Sequence, residues 1–290
     1  MPKVVIDDLR GLVQEAGSGV DIQNGIDLRK AATATNTDTK ILIGKPVSGN
    51  QYTESATQLH PLGTVLIDGE RKYRYVKMGA SGVTAGLLVQ GKAIHHATNH
   101  INMAITANVA AGARVISVET GGGNFSKDLY AEGWLWVNDG VGEGQAWKVR
   151  SNPAHVHASD PSVEVTLYDP VVTAITQAGT EVSIIENKYK GVVVGDGATA
   201  RGNMSLGFTV IDMTADYFGW ILVSGPGCAL TSGAIVRGDI VVATTGGGTA
   251  GAVIAKGADA APVRVQPDVG IVLQVNATTD YSLVDVMIEP

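Results

Sequence analysis

Cysteine is nearly absent: the 290-residue chain carries one, Cys228. A lone thiol forms no internal disulfide, so nothing here calls for an oxidising compartment, and a small buried hydrophobe is its expected role. Long apolar runs are missing as well. None approaches the ~18 residues of a membrane-spanning helix. The opening "MPKVVIDDLRGLVQEAG" also lacks the apolar core and small-residue cleavage site of a secretory leader. The expectation is a chain made and used in aqueous surroundings, with no membrane partner. Charge is sparse too. Charged residues make up 17% of the chain, and the net charge of −7 argues against a protein whose main task is to neutralise phosphates. No direct nucleic-acid partner is expected.

What the chain has instead is glycine, 37 residues of it, and Val, Ile and Thr throughout. That mixture favours short strands and many turns over helices. The length suits two domains or one long β domain. Residues 1 to about 60 differ from the rest: their apolar residues are scattered with no sustained period, as in an arm that gains order by lying on something else. The fold class expected is all-β, one or two sandwich- or barrel-like domains with an extended N-terminal arm. The boundaries fall at 1–58 for the arm, 59–190 for a first β domain and 191–290 for a second.

Strand signals accumulate from "LGTVLIDGERKYRYVKM", where Asp68-Gly69 offers the positive φ of a hairpin turn. In "KYRYV" the period of two places Tyr73, Tyr75 and Lys77 on one face and Lys72, Arg74 and Val76 on the other. "INMAITANV" alternates likewise, and "ARVISVET", "GWLWVND", "QAWKV", "VEVTLYD" and "EVSII" follow at short intervals, each bounded by turn residues. A second β series runs from "LGFTVIDM" to "YSLVDVMIE". Asp169-Pro170 before "VVTAIT" predicts one or two turns of helix, because Asp caps free amides and Pro tolerates the first helical position. "GWLWVNDG" and "GWILVSGPG" form a short internal similarity, each with a tyrosine upstream, Tyr130 and Tyr217.

Candidate chemical sites are weak. His155 and His157 would face the same way in a strand, as two zinc ligands do, and His95, His96 and His100 cluster elsewhere, yet nothing links the groups or supplies a third ligand. Cys228 lies in "GPGCALTSG" without a nearby histidine, and no Gly-x-Ser-x-Gly elbow is present. The loops "TGGGN", "GDGATARG" and "TTGGGTAG" match no phosphate-binding fingerprint and read as hairpin tips. Asp139, Glu143 and Asp196 in such loops read as solvated acids before calcium ligands. No catalytic, cofactor or metal residues are expected, and the chain is read as a non-enzyme. The cationic aromatic strand is read as a protein contact. Arg71, Lys72, Tyr73, Arg74 and Tyr75, with Trp136, are the candidate interface residues, since Tyr and Arg bring large area and directional hydrogen bonds.

Five segments in order, "GERKYRYVKMGASGVTAGLLVQ", "LYAEGWLWVNDGVGEGQAWKVRSN", "VEVTLYDPVVTAIT", "VSIIENKYKGVVV" and "YSLVDVMI", resemble tailed-phage virion proteins encoded near the major capsid protein. The likeness covers about residues 59 to 290. It implies a bacteriophage decoration or cement protein: a structural subunit on the outer surface of the capsid, assembled in the host cytoplasm. Its implied partners are the major capsid protein and itself, as a homotrimer, and its implied role is capsid stabilisation. Other virion structural roles, in a head fibre, a tail component or a host-binding adhesin, are the alternative.

Overall fold

The computed structural model describes residues 4–7, 11–14, 50–95, 98–196, 204–244, 248–258, 267–277 and 280–289. Within the expected arm it describes two strands, β1 (Val4–Asp7) and β2 (Gly11–Gln14), paired antiparallel with Val4 opposite Gln14 and Asp7 opposite Gly11. Residues 15–49 of that arm lie outside the described residues.

The described part of 51–290 is all-β, as the composition predicts. A 3-10 turn, Asn50–Tyr52, comes before β3 (Val65–Asp68), β4 (Arg71–Met78) and β5 (Leu88–Gln90). Next come β6 (Met103–Ala104), β7 (Val115–Glu119), β8 (Trp134–Asp139), β9 (Ala146–Ser151), β10 (Ser162–Leu167) and β11 (Glu181–Ile185). The chain then forms β12 (Lys190–Val194), β13 (Ser205–Thr209), β14 (Phe218–Leu230), β15 (Ile240–Ala243), β16 (Val253–Ala255), β17 (Asp268–Gln274) and β18 (Tyr281–Met287).

Two sheets result. β6 to β11 make a six-stranded sheet, and β3 to β5 with β12 to β18 make a ten-stranded one. In the larger sheet β4 pairs with β14, β14 with β13, β13 with β5, β5 with β12, and β12 returns to β4 in parallel, so five strands close a ring. Within the ring, closure leaves the paired parts of those strands no open edge. The smaller sheet grows out of the connection between β5 and β12 and has a separate core that includes Ile116, Leu135, Val149 and Leu167. The strand pairing therefore cuts the chain elsewhere than at residue 190, because β3 to β5 join the same sheet as β12 to β18.

The hairpin at Asp68-Gly69 forms as its residues require: Gly69 takes φ 62°, and Asp68 lies opposite Arg71. β14 works in two halves. Its first half belongs to the ring, and from Ser224 onward it pairs with β18. Gly225 makes the change possible at φ 91°; a Cβ there would sit 2.5 Å from the Glu70 carbonyl, so any side chain is excluded.

The helix expected after Asp169-Pro170 does not form. Residues 171–175 instead run against 109–113: the Val171 amide donates to the Ala113 carbonyl and the Gly112 amide to the Val171 carbonyl, both at 2.8 Å, and Val109 and Ile175 exchange two bonds of 2.9 Å. Val171 and Ile175 are buried as pegs while Val172 stays exposed, and Gln145 bonds the Thr173 backbone on both sides. Tertiary pairing overrides a cap whose following residues are β-branched and poor in helices.

Candidate functional site

β4 keeps the two faces its sequence predicts as far as Tyr75. Tyr73 and Tyr75 are 0% and 2% exposed, and Arg71, Lys72 and Arg74 are half-buried. Past Tyr75 the alternation ends. Val76 and Met78 are both buried, because this half of β4 lies inside the ring with β12 on one edge and β14 on the other.

The tyrosines therefore face the protein's interior and present nothing to a second molecule. Tyr75 packs edge-on against His60 and Trp220, with centroids 5.1 and 5.0 Å away, and stacks on Phe218 at 6.1 Å. Its hydroxyl accepts the Leu59 amide at 3.1 Å, and burial raises its pKa. Trp136 is half-buried on the outer face of β8, between Leu135 and Val137, which point into the core. Its neighbour on that face, Trp134, is the more open at 48% and was not singled out from the sequence.

The cations of β4 turn to the chain itself. Arg74 places Nε and Nη2 each 2.6 Å from Glu289 Oε2, and its Nη1 donates to the Gly63 carbonyl at 2.8 Å. Lys72 donates to the Glu289 carbonyl at 3.1 Å, Lys188 lies 3.5 Å from the carboxylate, and Tyr189 donates its hydroxyl at 2.5 Å. Burial pushes the Glu289 carboxyl up, but the hydrogen bonds from Tyr189 and Arg74 and the charges of Arg74 and Lys188 outweigh it and hold the group below its ordinary value. Arg71 donates to the Tyr52 hydroxyl at 2.8 Å and meets Asp68 at 3.5 Å. Lys77 meets Asp216 at 3.6 Å.

Beside Arg71 a groove of about 510 Å³ opens along β14. Leu222, Pro226 and Cys228 line it from the strand, Tyr52 and Arg71 from the side of β4, and Tyr281 from β18. The Tyr281 ring lies on Gly86, where a Cβ would come 2.5 Å from it. Tyr52 belongs to the stretch expected to end the arm. That stretch docks on residues 51–290 themselves: Ser55 and Phe218 exchange backbone bonds of 2.9 and 2.8 Å, and Glu54 takes the Thr214 amide and hydroxyl at 2.6 Å each. Cys228 is exposed on this groove and not the buried hydrophobe expected, because β14 has left the ring at Gly225.

His95 and His100 lie with ring centroids 6.2 Å apart, and so do His155 and His157. Thr120 Oγ1 lies 3.0 Å from His155 Nε2 and 2.9 Å from His157 Nδ1, so the two rings do face one way but share a hydroxyl. Burial, then the charge of His157, lowers the His155 pKa. His100 contacts the Tyr130 hydroxyl and the Gly122 carbonyl, His95 contacts the Asn124 carbonyl, and His96 lies outside the described residues. Among the described residues no three His, Cys, Asp or Glu side chains gather as metal ligands.

Where the smaller sheet leaves the ring, a buried ionic junction forms that sequence gave no sign of. Lys92 meets the buried Glu186 at 2.5 Å, and Lys190 donates to the carbonyls of Asp128 and Leu129 at 2.6 and 2.7 Å. Burial lowers the Lys190 pKa. The two Gly-Trp segments fall in different sheets, with Trp220 buried on β14 and Trp134 half-exposed on β8.

Comparison of the chain with protein-family models, with curated proteins and with solved structures gives no match.

Proposed function

We propose that the chain is a non-enzymatic decoration protein of a tailed-phage head. It binds the outer face of the capsid lattice, associates with copies of itself as a homotrimer, and stiffens the shell. The observation that carries this reading is the outer face of β18. Tyr281, Leu283 and Met287 are 42, 39 and 42% exposed there, with the half-buried Asp285 between the last two, while the alternate residues Ser282, Val284 and Val286 are buried. Large apolar side chains displayed along a regular strand fit a flat contact with another protein surface better than contact with water. On a symmetric shell each such contact repeats, so a modest energy per copy holds many copies in place.

The order of the five sequence segments is a second support. The engagement of Arg71, Lys72 and Arg74 within the chain makes apolar contact, and not the basic strand, the main attachment term. A head-fibre, tail or host-binding role is the alternative, and the groove beside β14 is the feature in its favour. Mixing the purified chain with DNA-filled heads and with tails, then sedimenting each, separates the two. Recovery with heads supports decoration, and recovery with tails alone overturns it.

A further inference from the structure

The groove is bordered by a strand edge. The first half of β14 has β4 on one side and β13 on the other, whereas from Gly225 on β18 is its one paired strand among the described residues. The Leu230 amide turns away from β18 and donates to the Gly86 carbonyl at 2.9 Å. The Cys228 carbonyl turns the same way, 3.4 Å from where a Cβ on Gly86 would lie. With the strand's period of two, the Cys228 amide and the Pro226 carbonyl also point to the groove side. Proline at 226 agrees with an open edge, since a residue without an N–H forfeits no ladder bond there.

The chemistry at one end of the groove is cationic. Asp212, on the far wall, already accepts the Ala85 amide at 2.8 Å. Arg71 is only loosely met by Asp68 at 3.5 Å, and its guanidinium keeps donors toward the groove after bonding Tyr52. Beside Arg71 the groove is apolar: Leu222 and Phe208 line it, in one cross-strand row with the buried Tyr73, whose ring centre is 5.7 Å from Arg71 Cζ.

We propose that this groove binds an extended polypeptide segment bearing a carboxylate side chain, with its backbone along Pro226 to Cys228 and its carboxylate at Arg71. An added strand obtains affinity from main-chain bonds and specificity from alternate side chains, here an acid toward Arg71 and an apolar residue over Leu222. The volume falls in the usual range of ~300–1,000 Å³ for a ligand site. This site shares Tyr281 with the head-binding face but is tested separately: retention on particles tests that reading, and the groove is tested on the free chain.

The probes are fluorescein-labelled, end-capped hexapeptide pools of alternating Val and Thr with one position fixed as Asp, Glu or Lys, titrated with the full chain and followed by fluorescence polarisation. The Asp and Glu pools should saturate and the Lys pool should not. Arg71→Gln should weaken the acidic pools at least tenfold. N-ethylmaleimide on the single thiol, Cys228, should abolish binding without any substitution, and the acidic pools should slow that alkylation. Equal binding of acidic and Lys pools, binding that survives alkylation, or saturation by a panel of soluble glycans with none by any peptide pool would each overturn the proposal.

Discussion

Arg74 and Glu289 meet through two guanidinium nitrogens, both 2.6 Å from one carboxylate oxygen, across 215 residues of sequence. The contact ties β4 to the residues after β18, and Lys72, Lys188 and Tyr189 converge on the same glutamate. Removing its carboxylate leaves two cations, Arg74 and Lys188, without their acid, while the Lys72 bond to the main-chain carbonyl stays. Glu289→Ala should lower unfolding free energy by about 1–3 kcal/mol, between the values for surface and buried pairs. A urea midpoint unchanged from wild type would contradict the role assigned to this cluster.

The same cluster sets an acid dependence. The folded pKa of Glu289 lies below its ordinary value of 4.5, so its contribution is complete above that pH and is lost as pH falls through the folded value. The stability gap between wild type and Glu289→Gln should therefore be constant from neutral pH down to about 4.5 and shrink below it. Urea titrations at a series of pH values measure the gap, and a gap that widens in acid would refute the sign.

His155 works in the same direction over a higher window. Burial and the neighbouring His157 depress its folded pKa, so its contribution is present above the ordinary value of 6.5 and is lost as pH falls toward the folded value. Imidazole proton shifts followed by NMR should show His155 titrating below its ordinary value of 6.5. A His155 that titrates above 6.5 would overturn the assignment.

The two tyrosines of β4 should respond differently to loss of the hydroxyl. Tyr73→Phe removes a buried group that has no partner, so the free chain should be unchanged or more stable by up to about 1 kcal/mol. Tyr75→Phe removes the acceptor of the Leu59 amide and should cost about 1 kcal/mol. Thermal melts of the pair decide this, and equal losses would show that the Tyr73 hydroxyl is bonded after all.

Gly133 enters β8 where a Cβ would lie 2.2 Å from the Ile185 carbonyl and 2.9 Å from that of Tyr130. Both obstacles are backbone. Gly133→Ala should cost several kcal/mol, more than the ~1–3 of an ordinary overpacked core site, and should separate β8 from β11. A melting temperature within two or three degrees of wild type would contradict it.

Local chemistry was legible where a short stretch decides its own conformation. Asp68-Gly69 specifies a turn, and Tyr73 and Tyr75 at a period of two specify one shared face of a strand; both are as read. The same alternation gave no sign of what covers each face. The tyrosines meet His60 and Trp220, and the cations meet Glu289, all distant in sequence, so an interface reading of β4 had no local evidence against it. The expected helix after Pro170 failed for a related reason: the decisive bonds come from residues 109–113. The groove was illegible because it is made by Tyr52, Arg71, Cys228 and Tyr281, four residues that no spacing connects.

The central claim is that apolar contact, and not the basic strand, holds this chain to a phage head. Charge screening acts within a Debye length of about 8 Å at physiological salt, and each exposed ion pair contributes only ~0.2–1 kcal/mol, whereas hydrophobic burial is not weakened by salt. The direct measurement is the amount of protein retained on purified DNA-filled heads washed through rising sodium chloride, for wild type and for Leu283→Asp. The account predicts wild-type retention that is flat across the salt series and lost only in denaturant, with Leu283→Asp folded but released at every salt. Steep loss of wild type at moderate salt, with Leu283→Asp indistinguishable from it, would contradict the claim and return Arg71, Lys72 and Arg74 to the attachment surface.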